Sequence, residues 1–232
     1  MPPVAVVIPA YNEAMSIGET VTAALGLPGV DTLVVASDGS TDATVRVARE
    51  AGARVWRTAR NQGKAAAMMA GAAAVSAIDR RDPADGPRHL LFLDADVGAT
   101  AANAGPLIEP VAGGAADMTI AVFASRVKRG GHGLVVRLSG AGIERATGWS
   151  PAQPLNGQRC LSRAAFDAAL PLARGFGVET AMSIDLKRGG LRIAEVEVDM
   201  AHRATGTDFA AQLHRARQFA DVARALASRV AF

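Results

Sequence analysis

Short apolar runs alternate with helical patterns through the first half of the chain, and this alternation constrains the fold more than any other feature of the sequence. The apolar runs lie at residues 4–8, 32–36, 53–56 and 90–93, and the helical patterns between them at residues 13–25, 41–51 and 64–78. Strands that alternate with helices at this spacing form a mostly parallel sheet with helices on both faces. The sequence therefore predicts a doubly wound α/β fold.

The second half is less regular but continues the pattern. We expect helices at residues 101–111, 134–147, 163–169, 178–188 and 208–227, and strands at residues 118–123 and 191–198. The chain has 232 residues, half of them hydrophobic, and it contains no internal repeat or linker. This length suits a single domain over residues 1–232 with a substantial core.

Composition narrows the classes of partner. The chain has 25 Lys and Arg against 22 Asp and Glu, a net charge of +3, which is a weak argument for nucleic acid. Cys160 is the single cysteine, so an internal disulfide and a multi-cysteine zinc site are excluded. No run of about 18 apolar residues predicts a membrane span, and no basic segment precedes the first apolar run as in a signal peptide. We therefore expect a cytoplasmic protein.

Two carboxylates, Asp94 and Asp96, directly follow the fourth apolar run. Open α/β sheets bind ligands at the carboxyl ends of their strands. Hard divalent cations favour carboxylate oxygens together with substrate phosphates. The motif therefore indicates a metal-bridged, phosphate-bearing substrate. Two acids that close a strand also form solvated turns and helix caps, so the motif alone leaves both interpretations open.

Three further motifs follow the earlier strands in the same way. They are Pro9-Ala10-Tyr11-Asn12-Glu13, Ser37-Asp38-Gly39-Ser40-Thr41-Asp42 and Asn61-Gln62-Gly63-Lys64. With Asp94-Ala95-Asp96, and in this order, they make the first 100 residues resemble glycosyltransferase family 2 of the GT-A fold. That resemblance implies a single GT-A domain whose residues 1–100 bind the nucleotide sugar and whose residues 101–232 bind the acceptor.

The second half is similar to the glucosyl-3-phosphoglycerate synthases and related mannosyl enzymes. The similarity lies in residues 154–159, 175–179 and 201–203. Those enzymes usually carry Gly-Glu where this chain has Gly157-Gln158, and they have longer flanking regions. The resemblance therefore leaves the acceptor and the stereochemical outcome open.

The resemblance also implies a metal site for Mg²⁺ or Mn²⁺. Asp96 is expected to bind the cation directly and to serve catalysis, because the cation offsets the charge that develops on a departing nucleoside diphosphate. Asp94 is expected to contact the ribose or to reach the metal through water. His202 is the expected third ligand, and a satisfied structural histidine is its alternative.

The expected nucleotide-sugar site comprises the first loop, the second loop and the residues around the acidic pair. Its members are Pro9, Ala10, Tyr11, Asn12, Glu13, Asp38, Gly39, Lys64, Asp94 and Ala95. Asp38 is expected to accept the N–H of the base, with an Asx turn as its alternative. Lys64 begins a helix, where N–H groups attract anions, and is expected to bind the diphosphate unless it is merely solvated. Asn12 and Glu13 are also suited to cap the first helix.

Glu179 is the expected catalytic carboxylate on the acceptor side. It would act as a base if transfer inverts the anomeric centre and would orient the acceptor if transfer retains it, and a helix cap is the alternative. Asn156, Gly157 and Gln158 are expected to line the same acceptor cavity. The loop residues Arg126, Lys128 and Arg129 would close over the donor, bind a phosphorylated acceptor or remain solvated.

The last helical segment is basic and amphipathic, with His214, Arg215, Arg217 and Arg224 beside an apolar stripe. Such a helix packs its apolar face on the core or lies on an anionic membrane surface. Peripheral membrane contact and a homodimer both stay open.

These expectations combine into one function. We expect a metal-dependent hexosyltransferase that moves a sugar from a UDP- or GDP-linked donor to a small phosphorylated or lipid-phosphate acceptor. One alternative is a nucleotidyltransferase acting on sugar phosphates, which would carry a basic, glycine-rich signature where this chain has residues 9–13. The other is a catalytically inactive protein that binds nucleotide sugars.

Overall fold

The computed structural model describes residues 3–82, 86–123, 133–201 and 209–229, with the backbone alone at residues 209–216. The strands are β1 (Val4–Ala10), β2 (Val30–Ser37), β3 (Arg54–Arg57), β4 (His89–Phe92), β5 (Met118–Phe123), β6 (Arg159–Leu161) and β7 (Ile193–Val198). The α-helices are α1 (Ile17–Leu25), α2 (Thr44–Glu50), α3 (Lys64–Arg81), α4 (Gly105–Ala112), α5 (Leu134–Thr147), α6 (Arg163–Ala168), α7 (Val178–Arg188) and α8 (Phe209–Ala227).

The strands form one sheet in the order β3-β2-β1-β4-β6-β5-β7. Neighbouring strands are parallel except at β6, which is antiparallel to both β4 and β5. The expected mostly parallel, doubly wound sheet is therefore confirmed. Because β6 runs in the opposite direction, its first residue Arg159 lies at the edge where β4 ends, opposite Phe92.

The central strand β1 sends alternate side chains into two cores. Val6 and Ile8 belong to a core that includes the α1 residue Val21, whereas Ala5 and Val7 face the opposite core. Successive residues of a strand point to opposite faces, so a strand buried on both sides is apolar throughout. Burying a side chain such as Ile8 contributes about 1.5–3 kcal/mol.

Helix α3 packs unusually close to the sheet. A Cβ added at Gly71 would lie 2.4 Å from Cγ1 of Val7, so only glycine allows this approach. Ala65, Ala67 and Ala72 are buried on the same helix. Small residues thus bring α3 onto β1, and the helix begins with Lys64 at the carboxyl edge of the sheet.

A third apolar cluster joins α5, α7 and α8. It contains Ile143, Ile184, Val222 and Leu226, all buried. The carboxyl-terminal part of α8 therefore packs its apolar face on the protein, while His214 and Arg215 lie outside the residues whose side chains are described. Within the described ranges, no helix has the length and apolarity needed to cross a membrane.

The largest differences from the predicted helices lie in the first and fourth helical segments. The first helix starts at Ile17, not at residue 13, because Asn12 has a left-handed φ of 55° and the chain turns before the helix begins. Asn12 is therefore not its N-cap. The segment predicted as one helix at 101–111 is a 3-10 helix, Gly98–Ala104, followed by α4.

Candidate active site

The predicted motifs meet where the sheet reverses its strand order. β1 pairs with β2 on one side and with β4 on the other, so the connections after these strands diverge and leave a crevice. The loops after β1, β2, β3 and β4 all lie at this edge. The segment before β6 joins them from the second half of the chain.

The loop after β1 is held against the loop after β2. The backbone N–H of Asn12 donates to Oγ of Ser40 at 3.1 Å, and Oδ1 of Asn12 accepts from the N–H of Thr41 at 2.9 Å. The N–H of Glu13 donates to Oγ1 of Thr44 at 2.8 Å. Asn12 therefore joins two loops of the predicted nucleotide site instead of capping a helix.

The neighbouring residues of the first loop differ in what they expose. Tyr11 is 47% exposed, so its ring can meet a ligand, and Pro9 is partly buried. Ala10 and Ala95 belong to the hydrophobic core. Because their side chains are buried, the two alanines can offer a ligand only their backbone atoms. Their predicted role in nucleotide-sugar binding is therefore a prediction about the backbone.

Asp38 is buried and organises the loop before α3. Its carboxylate accepts from the N–H of Gln62 at 2.9 Å, the N–H of Gly63 at 2.6 Å and the hydroxyl of Thr58 at 3.1 Å. These partners lie 20 to 25 positions away in the chain, so Asp38 does not form the Asx turn that was the alternative interpretation. Base binding by Asp38 stays a prediction. In the described structure, Asp38 also holds the loop that precedes α3.

Gly39 is required by a close backbone approach. Its φ is +72°, and a Cβ there would lie 2.5 Å from the carbonyl carbon of Arg60. Gly39 therefore has a left-handed backbone angle, and the loop that precedes Lys64 passes directly against this glycine.

Lys64 lies at the centre of the site. Its Nζ is 2.7 Å from Oδ1 of Asp94 and 2.7 Å from Oε1 of Glu179. Burial acts to lower the pKa of Lys64, but attraction by the two carboxylates and the hydrogen bonds to them prevail, so its pKa is raised. The alternative of a solvated lysine is excluded. Asp94, which is predicted to bind the donor, and Glu179, which is predicted to act on the acceptor, thus both contact the ammonium group of Lys64.

Gln158 takes a role that differs from the expected acceptor contact. Its side chain is 0% exposed, and both ends of its amide bind Asp94. The N–H of Asp94 donates to Oε1 at 2.7 Å, and Nε2 donates to Oδ2 of Asp94 at 2.8 Å. Acceptor contact by Gln158 stays a prediction, and the described structure gives this buried side chain a second role as the hydrogen-bond partner of Asp94.

Gly157 allows the charged residues to approach the chain before β6. A Cβ at this position would lie 2.5 Å from Nζ of Lys64 and 2.8 Å from both carboxylate oxygens of Asp94. Asn156 is 8% exposed and uses Oδ1 to accept from the N–H of Gln158 at 3.0 Å. Gly157 therefore touches the site, while Asn156 orders the loop that carries it.

Arg159 is fully buried beneath these residues. Its guanidinium donates to the backbone carbonyls of Pro154, Asn156 and Glu179 at 2.9–3.0 Å and to the hydroxyl of Ser183 at 3.0 Å. Burial lowers the pKa of Arg159 to about 10, so it remains charged at neutral pH. It joins the loop before β6 to the first turns of α7.

Helix α8 supports the segment that carries Glu179. The N–H of Phe176 donates to Oδ2 of Asp221 at 3.1 Å. A Cβ on Gly175 would lie 2.0 Å from the same oxygen, and one on Gly177 would lie 2.6 Å from the backbone oxygen of Asp221. The glycines of this motif therefore serve close packing against α8.

Asp96 and Glu13 form the second part of the site. Burial raises the pKa of Glu13, and the negative charges of Asp96, Asp42 and Asp94 raise it further, against a hydrogen bond from Ser16. Asp96 also lines a cleft of about 490 Å³ together with Ser16, Glu19 and Thr100. Carboxylates crowded in this way favour binding of a cation.

The turn between the two acidic residues and the next helix is fixed by Thr20. Its hydroxyl donates to the carbonyl of Ala95 at 2.9 Å and accepts from the N–H of Gly98 at 2.9 Å. Thr20 is fully buried on α1. This contact places Asp96 relative to the first helix.

The metal site was predicted from Asp94, Asp96 and His202. Asp94 and Asp96 lie at the same edge, and His202 lies outside the described residues, as do Arg126, Lys128 and Arg129. Among the residues that the structure describes, no group of three or more His, Cys, Asp or Glu has a metal-binding arrangement. Two carboxylates still suit Mg²⁺ or Mn²⁺, which commonly take one or two protein carboxylates plus phosphate and water.

The sequence did not indicate the contacts of Arg159 and Thr20 or the two bonds between Gln158 and Asp94. The signal for Arg159 was available, since it is a charged residue that enters the apolar strand Arg159–Leu161. Thr20 and Gln158 act through partners more than 60 positions away in the chain. No local pattern indicates such pairs.

Comparison with known proteins agrees with this geometry. The family model described as glycosyl transferase family 2 matches residues 5–146. Among solved structures, glucosyl-3-phosphoglycerate synthase from Mycobacterium tuberculosis in complex with Mn²⁺, UDP and phosphoglyceric acid matches with a TM-score of 0.78 and 26% identity, covering 100% of this chain and 80% of that chain.

A second complex of the same synthase contains Mn²⁺, UDP-glucose and glycerol 3-phosphate. It matches with a TM-score of 0.75 and 26% identity, covering 100% of this chain and 82% of that chain. A third, with Mg²⁺ and UDP, has a TM-score of 0.78 and 27% identity over 100% of this chain and 81% of that chain. The expected GT-A fold is therefore confirmed.

A curated relative is the glycosyltransferase AglJ of Haloferax volcanii. It is 28% identical over 209 residues, which are 88% of this chain. The chain spans 65% of the length of that relative. On the family match over residues 5–146, this chain belongs to glycosyl transferase family 2.

Proposed function

We propose that the protein is a divalent-metal-dependent glycosyltransferase that moves a sugar from a UDP-linked donor to a small phosphorylated acceptor. The observation that carries the proposal is the cluster in which Lys64 contacts both Asp94 and Glu179 at 2.7 Å. A cation there is suited to hold a diphosphate, and the acceptor-side carboxylate lies next to it. The complexes of the similar synthase with UDP-glucose and phosphorylated acceptors support this choice of substrates.

The strand order supports separate donor-binding and acceptor-binding halves of the domain. The strands of residues 1–100 occupy adjacent positions in the order β3-β2-β1-β4, and the strands of residues 101–232 occupy the other side as β6-β5-β7. We assign donor binding to the first half and acceptor binding to the second. Lys64 and Glu179 meet where the halves join.

Mg²⁺ or Mn²⁺ would be held by Asp96, with Asp94 beside it and His202 as the proposed third ligand. The donor set fits, because carboxylate oxygens together with substrate phosphates suit these cations. The bound cation would offset negative charge on the departing nucleoside diphosphate. Following the family resemblance, we assign direct ligation to Asp96. Each carboxylate oxygen of Asp94 accepts from Lys64 or Gln158 and keeps a further acceptor site, through which Asp94 can contact the ribose or reach the cation through water.

The other proposed roles belong to side chains in or beside the cluster. Lys64 binds the diphosphate, Tyr11 offers its exposed ring to the nucleotide, and Asp38 meets the base through its remaining acceptor capacity. Glu179 orients the acceptor hydroxyl, or takes its proton if transfer inverts the anomeric centre. Lys64 is paired with Glu179 in this structure. When Lys64 binds the diphosphate, this ion pair weakens, and the carboxylate of Glu179 can bind the acceptor.

Donor binding is tested by thermal unfolding with UDP and with GDP, each with and without Mn²⁺. A ligand at 100 times its Kd stabilises the folded protein by about 2.7 kcal/mol, which raises the Tm measurably. We expect a Mn²⁺-dependent rise with UDP that Asp96→Asn abolishes. Asp167→Asn is the matched control, because Asp167 is an exposed carboxylate on α6. An equal rise in the Asp96 variant would remove the assigned metal role.

Turnover separates the remaining alternatives. UDP-glucose is incubated with 3-phosphoglycerate, glycerol 3-phosphate or a polyprenyl phosphate, and release of UDP is measured. We expect release with a small phosphorylated acceptor. Release only with the polyprenyl phosphate would correct the acceptor class. Pyrophosphate release from a nucleoside triphosphate and a sugar phosphate would identify a nucleotidyltransferase, and UDP binding without any turnover would identify an inactive binding protein.

A further inference from the structure

We propose that Gln158 is a positioning residue that fixes the carboxylate of Asp94 for the donor, an inference that rests on the proposed function. The amide of Gln158 bonds to Asp94 twice. Oε1 accepts from the backbone N–H at 2.7 Å, and Nε2 donates to Oδ2 at 2.8 Å. The two bonds hold the backbone and the side chain of Asp94 in one fixed relation.

The chemistry of the partners determines which way the amide points. A backbone N–H can meet only the amide oxygen, and a carboxylate oxygen that accepts a hydrogen bond can meet only the NH₂ group. Reversing the amide would place two donors together and two acceptors together. Glutamine is therefore matched to Asp94 at both ends, and this pair has one arrangement.

Gln158 is itself held rigidly. Its side chain is fully buried, its N–H donates to Oδ1 of Asn156 at 3.0 Å, and its carbonyl accepts from the N–H of Ala121 on β5 at 3.0 Å. A side chain locked by packing and by its own backbone can hold another side chain in a defined geometry. Partners that orient metal ligands are worth about 10- to 100-fold in metal affinity or activity, and we expect a loss of the same order where Gln158 orients Asp94.

The neutral amide also suits the charges of the cluster. Asp94 and Glu179 are balanced by Lys64 and by the buried Arg159. A carboxylate at position 158 would accept from the N–H of Asp94 but would face its Oδ2 as a second acceptor. The structure therefore assigns the donor function of Nε2, not side-chain size alone, as the property that holds Asp94.

The experiment compares Gln158→Leu, which removes both bonds, with Gln158→Glu, which keeps only the bond from the N–H of Asp94. Thr119→Val is the control, because Thr119 is fully buried on the neighbouring strand β5 and its hydroxyl donates to the carbonyl of Leu107 at 2.7 Å. Each variant is measured for amide hydrogen exchange at Asp94 and for UDP affinity in the presence of Mn²⁺. Urea unfolding establishes that each variant is folded.

We expect Gln158→Leu to accelerate exchange at Asp94 and to weaken UDP binding by about 10- to 100-fold. Gln158→Glu should keep the exchange protection and still bind UDP less tightly. Thr119→Val should change neither quantity, although it unfolds at lower urea concentration. If Gln158→Leu behaves like Thr119→Val in exchange and affinity, the inference is overturned.

A double-mutant cycle with Asp94→Asn shows whether Gln158 acts through Asp94. In the Asp94→Asn variant, Gln158→Leu should weaken UDP binding by less than about twofold. The carboxylate that Gln158 holds is already absent there, and the effects of mutations at two contacting residues do not add. An equal loss in both backgrounds would contradict the inference. If the unaltered protein binds no UDP, the proposed function fails, whereas the exchange measurement still reports on the two bonds without any ligand.

Discussion

Lys64, the first residue of α3, forms an ion pair of 2.7 Å with Glu179, the second residue of α7. The two helices carry residues expected on opposite sides of the reaction. The contact therefore gives the proposed donor half and the proposed acceptor half a common charged group. Lys64 also pairs with Asp94 at the same distance, so one ammonium group contacts both carboxylates.

Replacement of Lys64 by methionine should cost stability as well as function. The variant leaves Asp94 and Glu179 without their shared cation, and we expect the free energy of unfolding to fall by about 2 kcal/mol, less than for a fully buried pair. Because the pKa of Lys64 is raised above its usual 10.5, this contribution is present at pH 7 and is lost only as the pH rises from that value through the raised pKa. Urea unfolding at pH 7 measures the loss.

The control for this prediction is Lys187→Met. Nζ of Lys187 lies 5.6 Å from the centroid of the Trp149 ring. A cation–π contact that is not fully desolvated contributes about 0.5–1 kcal/mol. Lys187→Met should retain the affinity for UDP, whereas Lys64→Met should lose it. Equal unfolding free energies and equal UDP affinities in the two variants would contradict the central place given to Lys64.

Gly157→Ala should impair donor binding more than folding. The added methyl group meets the end of the Lys64 side chain at 2.5 Å, and that side chain can move. We expect a stability loss of about 1 kcal/mol and a weakening of UDP affinity, measured by urea unfolding and calorimetry. Gly105→Ala is the matched control, because its added Cβ has no neighbour within 4 Å. Unchanged UDP affinity in Gly157→Ala would show that the close approach is not needed.

Glu13→Gln should stabilise the protein in a pH-dependent way. Burial, followed by repulsion from neighbouring carboxylates, raises the pKa of Glu13 above its usual 4.5 in the folded state. The folded state then holds this proton more tightly, so Glu13 costs stability as the pH rises through the raised pKa. The glutamine variant should unfold at higher urea concentration at pH 7 and show little difference at pH 4.

Mn²⁺ supplies a second test of the same residue. A cation at Asp96 would offset the negative charges that raise the pKa of Glu13, so the difference between Glu13→Gln and the unaltered protein should shrink when Mn²⁺ and UDP are added. Glu50→Gln, which removes an exposed ion pair with Arg46, is the control and should show no such dependence on pH or metal. A stabilisation by Glu13→Gln that is equal at both pH values would refute the electrostatic explanation.

Asp38→Ala should loosen the loop that leads into α3. The variant removes the carboxylate that accepts from the N–H groups of Gln62 and Gly63, and a typical intramolecular hydrogen bond contributes about 0.5–1.5 kcal/mol to stability. Amide exchange at these two residues should accelerate, and Asp38→Asn should restore part of the protection because it keeps one acceptor oxygen. Asp167→Ala is the control. Unchanged exchange at Gln62 and Gly63 would disprove the structural role of Asp38.

Much of the fold could be predicted because its signals are local. The apolar runs and helical patterns depend on residues a few positions apart, and the resulting strand bounds differ from the structure by at most two residues at each end. The start of α1 could not be predicted this way. Asn12 prefers Ser40 and Thr41 as partners, and these residues become its neighbours only when β1 and β2 pair.

The candidate site shows the same division. The sequence alone determined that Asp38, Lys64 and Asp94 lie at one edge of the sheet, because parallel strands place their carboxyl ends together. Only the tertiary structure decided that Lys64 contacts Glu179 and that Gln158 binds Asp94. Those contacts depend on antiparallel β6 entering the sheet beside β4, and long-range strand order leaves no trace in local residue spacing.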